Sequence, residues 1–314
     1  MANDQNVLFS IIIPTHDRVG VLAATLDALA CQSFPMQTCE VIVVNDGSVD
    51  RTEEFLQANR LRYPFRLTVY SQLNKGPAAA RNVGIRNALG KIILFLGDDM
   101  IADTKLVRHH YEMHQQHPAP HIGVLGFVTW ASSLTITPFM RWLENGGPQF
   151  HYGHLSDKSR VPWKYFYTAN VSVKKEFMTL CNELFDESFP YAAFEDSELG
   201  YRLAQHGFVL IYQKDAVVFH DHATSLIDAC HRMEKLGFSA QIIGEKVPEY
   251  AYFCNEVKGR SLIRRFVRFF RYKLNFLRAA YYEKRCIQAS VFEPVLRYWW
   301  QKGCQRYRKD GIAQ

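Results

Sequence analysis

The sequence has no C-x-x-C pair, and its seven cysteines (Cys31, Cys39, Cys181, Cys230, Cys254, Cys286, Cys304) are scattered and odd in number. That argues against a disulfide framework or a cysteine zinc site and fits a reducing compartment. No apolar run reaches the roughly 18 residues of a membrane span. The polar N-terminus, with Asp4 ahead of the first apolar run, does not read as a secretory leader. There is no G-x-x-x-x-G-K-[ST] loop and no G-x-G-x-x-G, which weighs against phosphate-loop kinases and dinucleotide oxidoreductases. Internal repeats and low-complexity tracts are lacking too.

What is present is ample apolar material, 48% of 314 residues, enough for a substantial core. The formal net charge of +6 is unevenly spread. Residues 261–314 hold thirteen Lys/Arg against three Asp/Glu, so the tail is basic and the body carries a net −4.

Leu8–Pro14, Val41–Val44, Phe65–Tyr70 and Ile92–Leu96 are short, β-branched apolar runs, and helical spacing fills the intervals at Val19–Ala30, Thr52–Ala58 and Pro77–Asn87. Runs of that composition read as strands buried on both faces. Strands alternating with helices predict a parallel sheet wound by right-handed crossovers. Further on, a helix is expected from about 104 to 117, strands at 122–129, 168–173, 208–212 and 216–219, and helices at 196–206 and 224–243. Residues 132–165 lack a clear period and read as a long loop with short helical pieces.

Three polar segments follow the first, second and fourth of these strands: Pro14-Thr15-His16-Asp17-Arg18, Asn45-Asp46-Gly47-Ser48 and Gly97-Asp98-Asp99. A parallel sheet brings such segments to its carboxyl edge, where open α/β sheets bind ligands. The first two can hold a base and ribose. Adjacent carboxylates in the third can hold a divalent cation, and the cation a diphosphate. A fourth segment, Phe194-Glu195-Asp196-Ser197-Glu198, puts two acids at a helix start, where the helix dipole favours their ionised form. His110, His114 and His117 on the 104–117 helix lack an evident acidic partner and read as an exposed face.

Taken in order, IIIPTHDR, VIVVNDGSVDRT, GPAAARNVGIRNALGKIILFLGDD and FEDSELGYRLAQHGF resemble a family 2 glycosyltransferase over about residues 7–225. The resemblance implies a GT-A fold, a Rossmann-like, mostly parallel sheet with helices on both faces. It also implies a nucleotide-sugar donor, a divalent metal (Mn²⁺ or Mg²⁺) and inversion at the anomeric carbon. By the same resemblance Pro14, Thr15 and His16 line the base pocket, Asp46 meets the uracil ring nitrogen and Asp98 the ribose. Asp99 and His220, with His222 as a near alternative, ligate the metal. Asp196 is the general base, with Glu195 able to share the role. Arg81 matches a nucleotide contact or a packing ion pair, and Asn170 a loop beside the donor sugar or a turn residue. Gly97 stands where the family has a third acid.

The expected organisation is a glycosyltransferase domain over 1–225, with a nucleotide-binding half at 1–103 and an acceptor half at 104–225, and a helical basic extension over 226–314. The expected activity is inverting hexosyl transfer from a UDP-sugar to a glycan or lipid-linked saccharide, as in polysaccharide biosynthesis. A degenerate nucleotide-sugar-binding scaffold and a nucleotidyltransferase on the same fold are the alternatives. Between Ser261 and Arg285, eight Lys/Arg interleave with aromatic residues. On a helix, Leu262, Ile263, Phe266, Phe269, Phe270, Leu274 and Leu277 share one side opposite Arg264, Arg268, Arg271 and Arg278. Such a helix suits an anionic membrane surface, so a cytoplasmic enzyme peripheral on the inner face of the plasma membrane is expected, with no nucleic-acid partner.

Overall fold

The computed structural model describes residues 7–145, 147–149, 152–255, 262–285 and 289–310, with the side chains of 255, 262–270 and 310 set aside. The chain divides into two compact units, Met1–Ser133 with His154–His222, and Leu134–Gly153 with Ala223–Gln314.

The first unit is built on one mixed sheet. Its opening strands are β1 (Phe9–Thr15), β2 (Cys39–Asp46), β3 (Arg66–Gln72) and β4 (Ile92–Leu96), joined through helices α1 (Val19–Ala30), α2 (Thr52–Ala58) and α3 (Pro77–Asn87). They pair in parallel in the order β3-β2-β1-β4. Every residue of β2 and β4 is buried, as apolar runs covered on both faces require. The chain moves outward from β1 to β3 and then returns to the other side of β1. The loops after β1 and β4 therefore diverge and open a crevice at the carboxyl ends of the strands.

Beyond β4 the sheet continues through β5 (Met100–Ala102), helix α4 (Leu106–Gln116), β6 (Ile122–Trp130), β7 (Arg160–Val161), β8 (Asn170–Lys174) and β9 (Val209–His220). The order runs β4-β8-β6-β9-β5, with β7 also on β9. β8 runs antiparallel to both β4 and β6, β6 and β9 are parallel, and β5 and β7 lie antiparallel to β9. Six of the nine described strands thus share one direction, making the sheet mostly parallel.

Several expectations are corrected here. The two strands expected at 208–212 and 216–219 are one strand, β9, whose pairing with β6 shifts register between Gly126 and Phe127. The interruption at Gln213–Asp215 is the bulge itself, not a turn. Asn170 closes this irregularity. Its amide donates to the carbonyls of Phe127 (3.1 Å) and Ala216 (2.8 Å), which flank the register shift. Gly126 makes the room, because a Cβ there would collide with the Asn170 amide.

The histidine face of α4 is not exposed either. His110 and His114 are buried. His110 bridges Ser172 Oγ at 2.8 Å and Asn170 Oδ1 at 2.9 Å, and His114 Nε2 meets the same Ser172 hydroxyl at 2.8 Å. Burial pushes the His110 imidazole down to about 4 and His114 well below its ordinary value. Both are held neutral inside the fold. The sequence pattern misled because Ser172 and Asn170, the polar partners that make burial tolerable, lie some sixty residues away.

The second unit contains α5 (Pro138–Glu144), a short helical piece within the stretch 132–165. Two further short helices follow β8, α6 (Lys175–Cys181) and α7 (Glu195–Gln205), both in the first unit. Among the described residues the second unit is completed by α8 (Leu226–Lys246), α9 (Leu262–Tyr282) and α10 (Ala289–Asp310). Phe292 of α10 packs against Phe139 and Trp142 of α5 at ring separations of 4.8 and 5.2 Å. α8 and α10 approach backbone to backbone, since a Cβ on Gly237 would strike the Trp300 carbonyl and one on Gly303 the Glu234 carbonyl.

Candidate active site

The loops after β1 and β2 are stitched into one rim by short polar bonds. His16 Nδ1 lies 2.9 Å from the Asp46 carbonyl oxygen. The Asp17 amide donates to Ser48 Oγ at 2.9 Å, while Asp17 Oδ1 accepts from the amides of Val49 (2.6 Å) and Asp50 (3.2 Å). Asp17 does this from a left-handed backbone with φ 52°, a conformation short-side-chain Asp tolerates better than most residues. The Asp46 carboxylate is buried and accepts from Gln72 Nε2 (2.7 Å) and the amides of Lys75 (2.9 Å) and Gly76 (2.8 Å). The loop after β3 is thereby fixed to the same rim.

At the crevice itself, Thr15 Oγ1 donates to Asp98 Oδ2 at 2.8 Å. The Arg18 guanidinium straddles the carboxylate pair, with Nη1 2.8 Å from Asp98 Oδ1 and Nη2 2.7 Å from Asp99 Oδ2. His220 Nε2 approaches the same Asp99 oxygen at 3.2 Å, and the His222 ring lies 6.0 Å from that of His220. This meeting depends on β5, which pairs Met100 with His220, and on the Asp221 amide, which donates to the Asp99 carbonyl at 2.9 Å. Burial and the Asp99 charge push Asp98 up to about 6, against the pull of Arg18. Burial would raise Asp99 too, but His220 and Arg18 together outweigh it and hold Asp99 well below the usual carboxylate range.

The acid pair at the start of α7 reaches this edge through β8, whose first residue pairs with Leu96 at the end of β4. Asp196 accepts from the Ser197 amide at 2.7 Å, and its other oxygen lies 3.4 Å from the Thr168 amide. Glu195 points inward: Oε1 accepts from Arg81 Nη1 at 2.8 Å, while the buried Oε2 has no hydrogen-bond partner among the described residues. Asp196 is half-buried, and its carboxyl is pushed up to about 7 by desolvation and by the Glu195 charge, against Arg81. Phe194, which launches the helix, adopts φ 69°, a strained conformation for an aromatic residue of the kind that accumulates at functional sites.

The structure thus gathers Thr15, His16, Asp46, Asp98, Asp99 and His220 along one edge and brings the Glu195–Asp196 pair to it. Arg81 is an interior ion-pair partner with its guanidinium 5.4 Å from the Phe185 ring. Asn170 is fully buried, and its polar atoms are committed to β6, β9 and His110, so it stands apart from the cluster. Asp17, Arg18 and Gln72 are the site residues that sequence reasoning left without a role. Two of them lay within the PTHDR segment, but nothing local revealed their partners.

A sheet in this order, with carboxylates at the switch point and an acid pair at a nearby helix start, defines the GT-A class of nucleotide-sugar-binding folds. The family model for glycosyl transferase family 2 matches residues 10–182. The chain belongs to that family. It is 29% identical over 231 residues to validoxylamine A glucosyltransferase of Streptomyces hygroscopicus subsp. jinggangensis, covering 67% of this chain and 54% of that one. It is 24% identical over 280 residues to chondroitin synthase of Escherichia coli, covering 81% and 40%. The chain spans about half the length of the relatives it matches. Among solved structures, Staphylococcus aureus TarS 1–349 in complex with UDP superposes with a TM-score of 0.57 at 18% identity, covering 96% of this chain and 89% of that one. A mannosyltransferase from Pyrobaculum calidifontis in complex with GDP-Man and Mn²⁺ gives 0.60 at 15% identity, covering 96% and 87%. At those identities the likeness is one of fold.

Proposed function

We propose that the chain is an inverting glycosyltransferase that moves a hexose from a UDP-sugar to a hydroxyl of a glycan or lipid-linked saccharide. The observation that carries the reading is Asp196, a half-buried carboxylate of raised basicity on the edge that gathers Asp46, Asp98 and Asp99. In the transfer Asp196 takes the proton of the acceptor hydroxyl as that oxygen attacks the anomeric carbon. The bond from that carbon to the diphosphate breaks on the opposite side, and Asp196 is left protonated. Glu195 is the poorer candidate, being buried and tied to Arg81. Asp46 would face the base, with Pro14, Thr15 and His16 beside it, and Asp98 the ribose. The glucosyltransferase relative and the UDP-bound fold neighbour support a nucleotide-sugar donor.

The residues fit a divalent cation. Two ligands at right angles on a cation with bonds near 2.1 Å stand about 3 Å apart, close to the 3.2 Å between Asp99 Oδ2 and His220 Nε2. Among the described residues no three His, Cys, Asp or Glu side chains form a complete cation site. Donor phosphate oxygens and water would therefore complete the shell, as is usual for Mg²⁺. A cation held by Asp99 and His220 would neutralise charge on the leaving diphosphate.

The proposal extends to a membrane surface. No helix among the described residues is long and apolar enough to cross a membrane. On α9, however, Leu274, Leu277 and Tyr281 are 69%, 67% and 58% exposed, with Arg271 and Arg278 also exposed. An apolar stripe bordered by cations suits an anionic lipid interface. The rest of the expected apolar face lies in 262–270, whose side chains are outside the described residues.

The test of the activity is a panel of UDP- and GDP-sugars, scored for binding and hydrolysis with Mn²⁺ or Mg²⁺. Turnover of one donor is expected. Binding without turnover of any donor, with acceptor saccharides present, would favour a scaffold.

A further inference from the structure

Arg18 sits where a cation is wanted. Asp98 and Asp99 are adjacent and buried, so two like charges face desolvation together. The guanidinium answers both, one nitrogen to each carboxylate at 2.8 and 2.7 Å. Asp99 Oδ2 is the shared atom, because it also lies 3.2 Å from His220 Nε2. A divalent cation placed between Asp99 and His220 would meet the guanidinium within a few ångströms, and like charges at that range repel strongly in a poorly solvated pocket. Arg18 can leave without disturbing the fold. It belongs to the loop just before α1, its side chain is 33% exposed, and the Asp98 bond to Thr15 stays in place.

We propose that Arg18 is a resident counter-ion of the Asp98–Asp99 pair, which a divalent cation must displace before it can use Asp99 and His220. Metal binding to the chain alone is then weak, since the cation competes with an ion pair already made. A nucleoside diphosphate changes the balance by offering the released guanidinium a new anionic partner. Metal and donor are thereby coupled through one side chain, and by linkage each tightens the other equally. The inference rests on the Asp99–His220 reading above, and its test separates the two.

The experiment titrates Mn²⁺ into the full chain at pH 8 and follows the loss of the free-ion electron paramagnetic resonance signal, first without nucleotide and then with saturating UDP. The wild type is compared with Arg18→Met, Arg18→Lys and Asp99→Asn, each checked by circular dichroism. Arg18→Met is expected to bind Mn²⁺ on the order of tenfold more tightly than the wild type without UDP. UDP is expected to tighten Mn²⁺ binding more in the wild type than in Arg18→Met. Arg18→Lys, which keeps the charge but loses the two-carboxylate fork, should fall between them, and it decides the matter if Arg18→Met does not fold. Folded Arg18 variants that bind Mn²⁺ no tighter than the wild type, with binding still lost in Asp99→Asn, overturn the role of Arg18 and leave the metal reading standing. Mn²⁺ binding that survives Asp99→Asn overturns both.

Discussion

At the scale of single residues, Asp196 is the proposed base, and its surroundings would set the pH at which it works. Asp196→Asn keeps the shape but removes the proton acceptor, so turnover should fall on the order of 10²–10⁴-fold with little change in donor affinity. Near-normal turnover would move the base elsewhere. A carboxylate base acts only when ionised, and burial beside Glu195 raises the pKa of Asp196. Activity should therefore be lost as pH falls through the neutral range, well above the ordinary carboxylate value of about 4. The same shift has a thermodynamic sign. Between its unfolded and folded pKa values the folded state binds the extra proton, so the Asp196 contribution to stability declines as pH rises. Asp196→Asn should accordingly melt higher than the wild type at pH 8. Differential scanning calorimetry at pH 5 and pH 8 checks this, and equal melting temperatures at pH 8 would count against a strained carboxylate.

At the scale of elements, the helix α4 and the strand β8 are joined by the His110–Ser172–Asn170–His114 network rather than by apolar contact alone. His110 and His114 are depressed in the fold, so the unfolded chain binds more protons below about 6.5. Stability should be fully expressed above that pH and decline as pH falls toward 4. For His110 alone the full effect is about 3 kcal/mol. Urea denaturation followed between pH 7.5 and pH 5 should show the decline. Asn170→Ala removes the amide bonds to the Phe127 and Ala216 carbonyls and one of the two hydrogen bonds of His110, and should cost about 2–4 kcal/mol at pH 7.5. For α9, Leu274→Glu with Leu277→Glu in the full chain should reduce sedimentation with anionic vesicles. High salt should release the wild type, each basic residue near the surface contributing about 1 kcal/mol. Wild type and variant sedimenting alike would exclude the Leu274–Leu277 face of α9 as the lipid contact.

Much of this level was legible in the sequence. The bounds of α1, α2 and α3 follow from helical spacing over 7 to 12 residues. The three residues of β5 carry no period of their own, and β9 reads as two strands because its bulge places Gln213, Lys214 and Asp215 together. The break between α9 and α10 was also not evident from composition, since both helices are basic and aromatic.

At the scale of the whole molecule, the edge proposed to hold the nucleotide belongs to the first unit, and ligand binding there should stabilise it. UDP with Mn²⁺ at a hundredfold excess over its dissociation constant stabilises by about 2.7 kcal/mol, visible as a higher melting transition. UDP with a chelator should give a smaller shift, and equal shifts would argue against a cation at Asp99. What the sequence determined by itself was the class of fold and the set of polar segments at its carboxyl edge. Buried strands and amphipathic helices announce themselves through local periodicity, and a parallel βα order leaves few topologies. What only the tertiary structure decided was which groups meet. Arg18 and Asp98 are eighty residues apart, His220 reaches Asp99 through the short pairing of β5 with β9, and Asn170 and His110 turn inward together. Such partnerships are fixed by strand order and register. Local sequence does not encode them, because burial of a charge or an imidazole depends on a partner that the fold must bring from far along the chain.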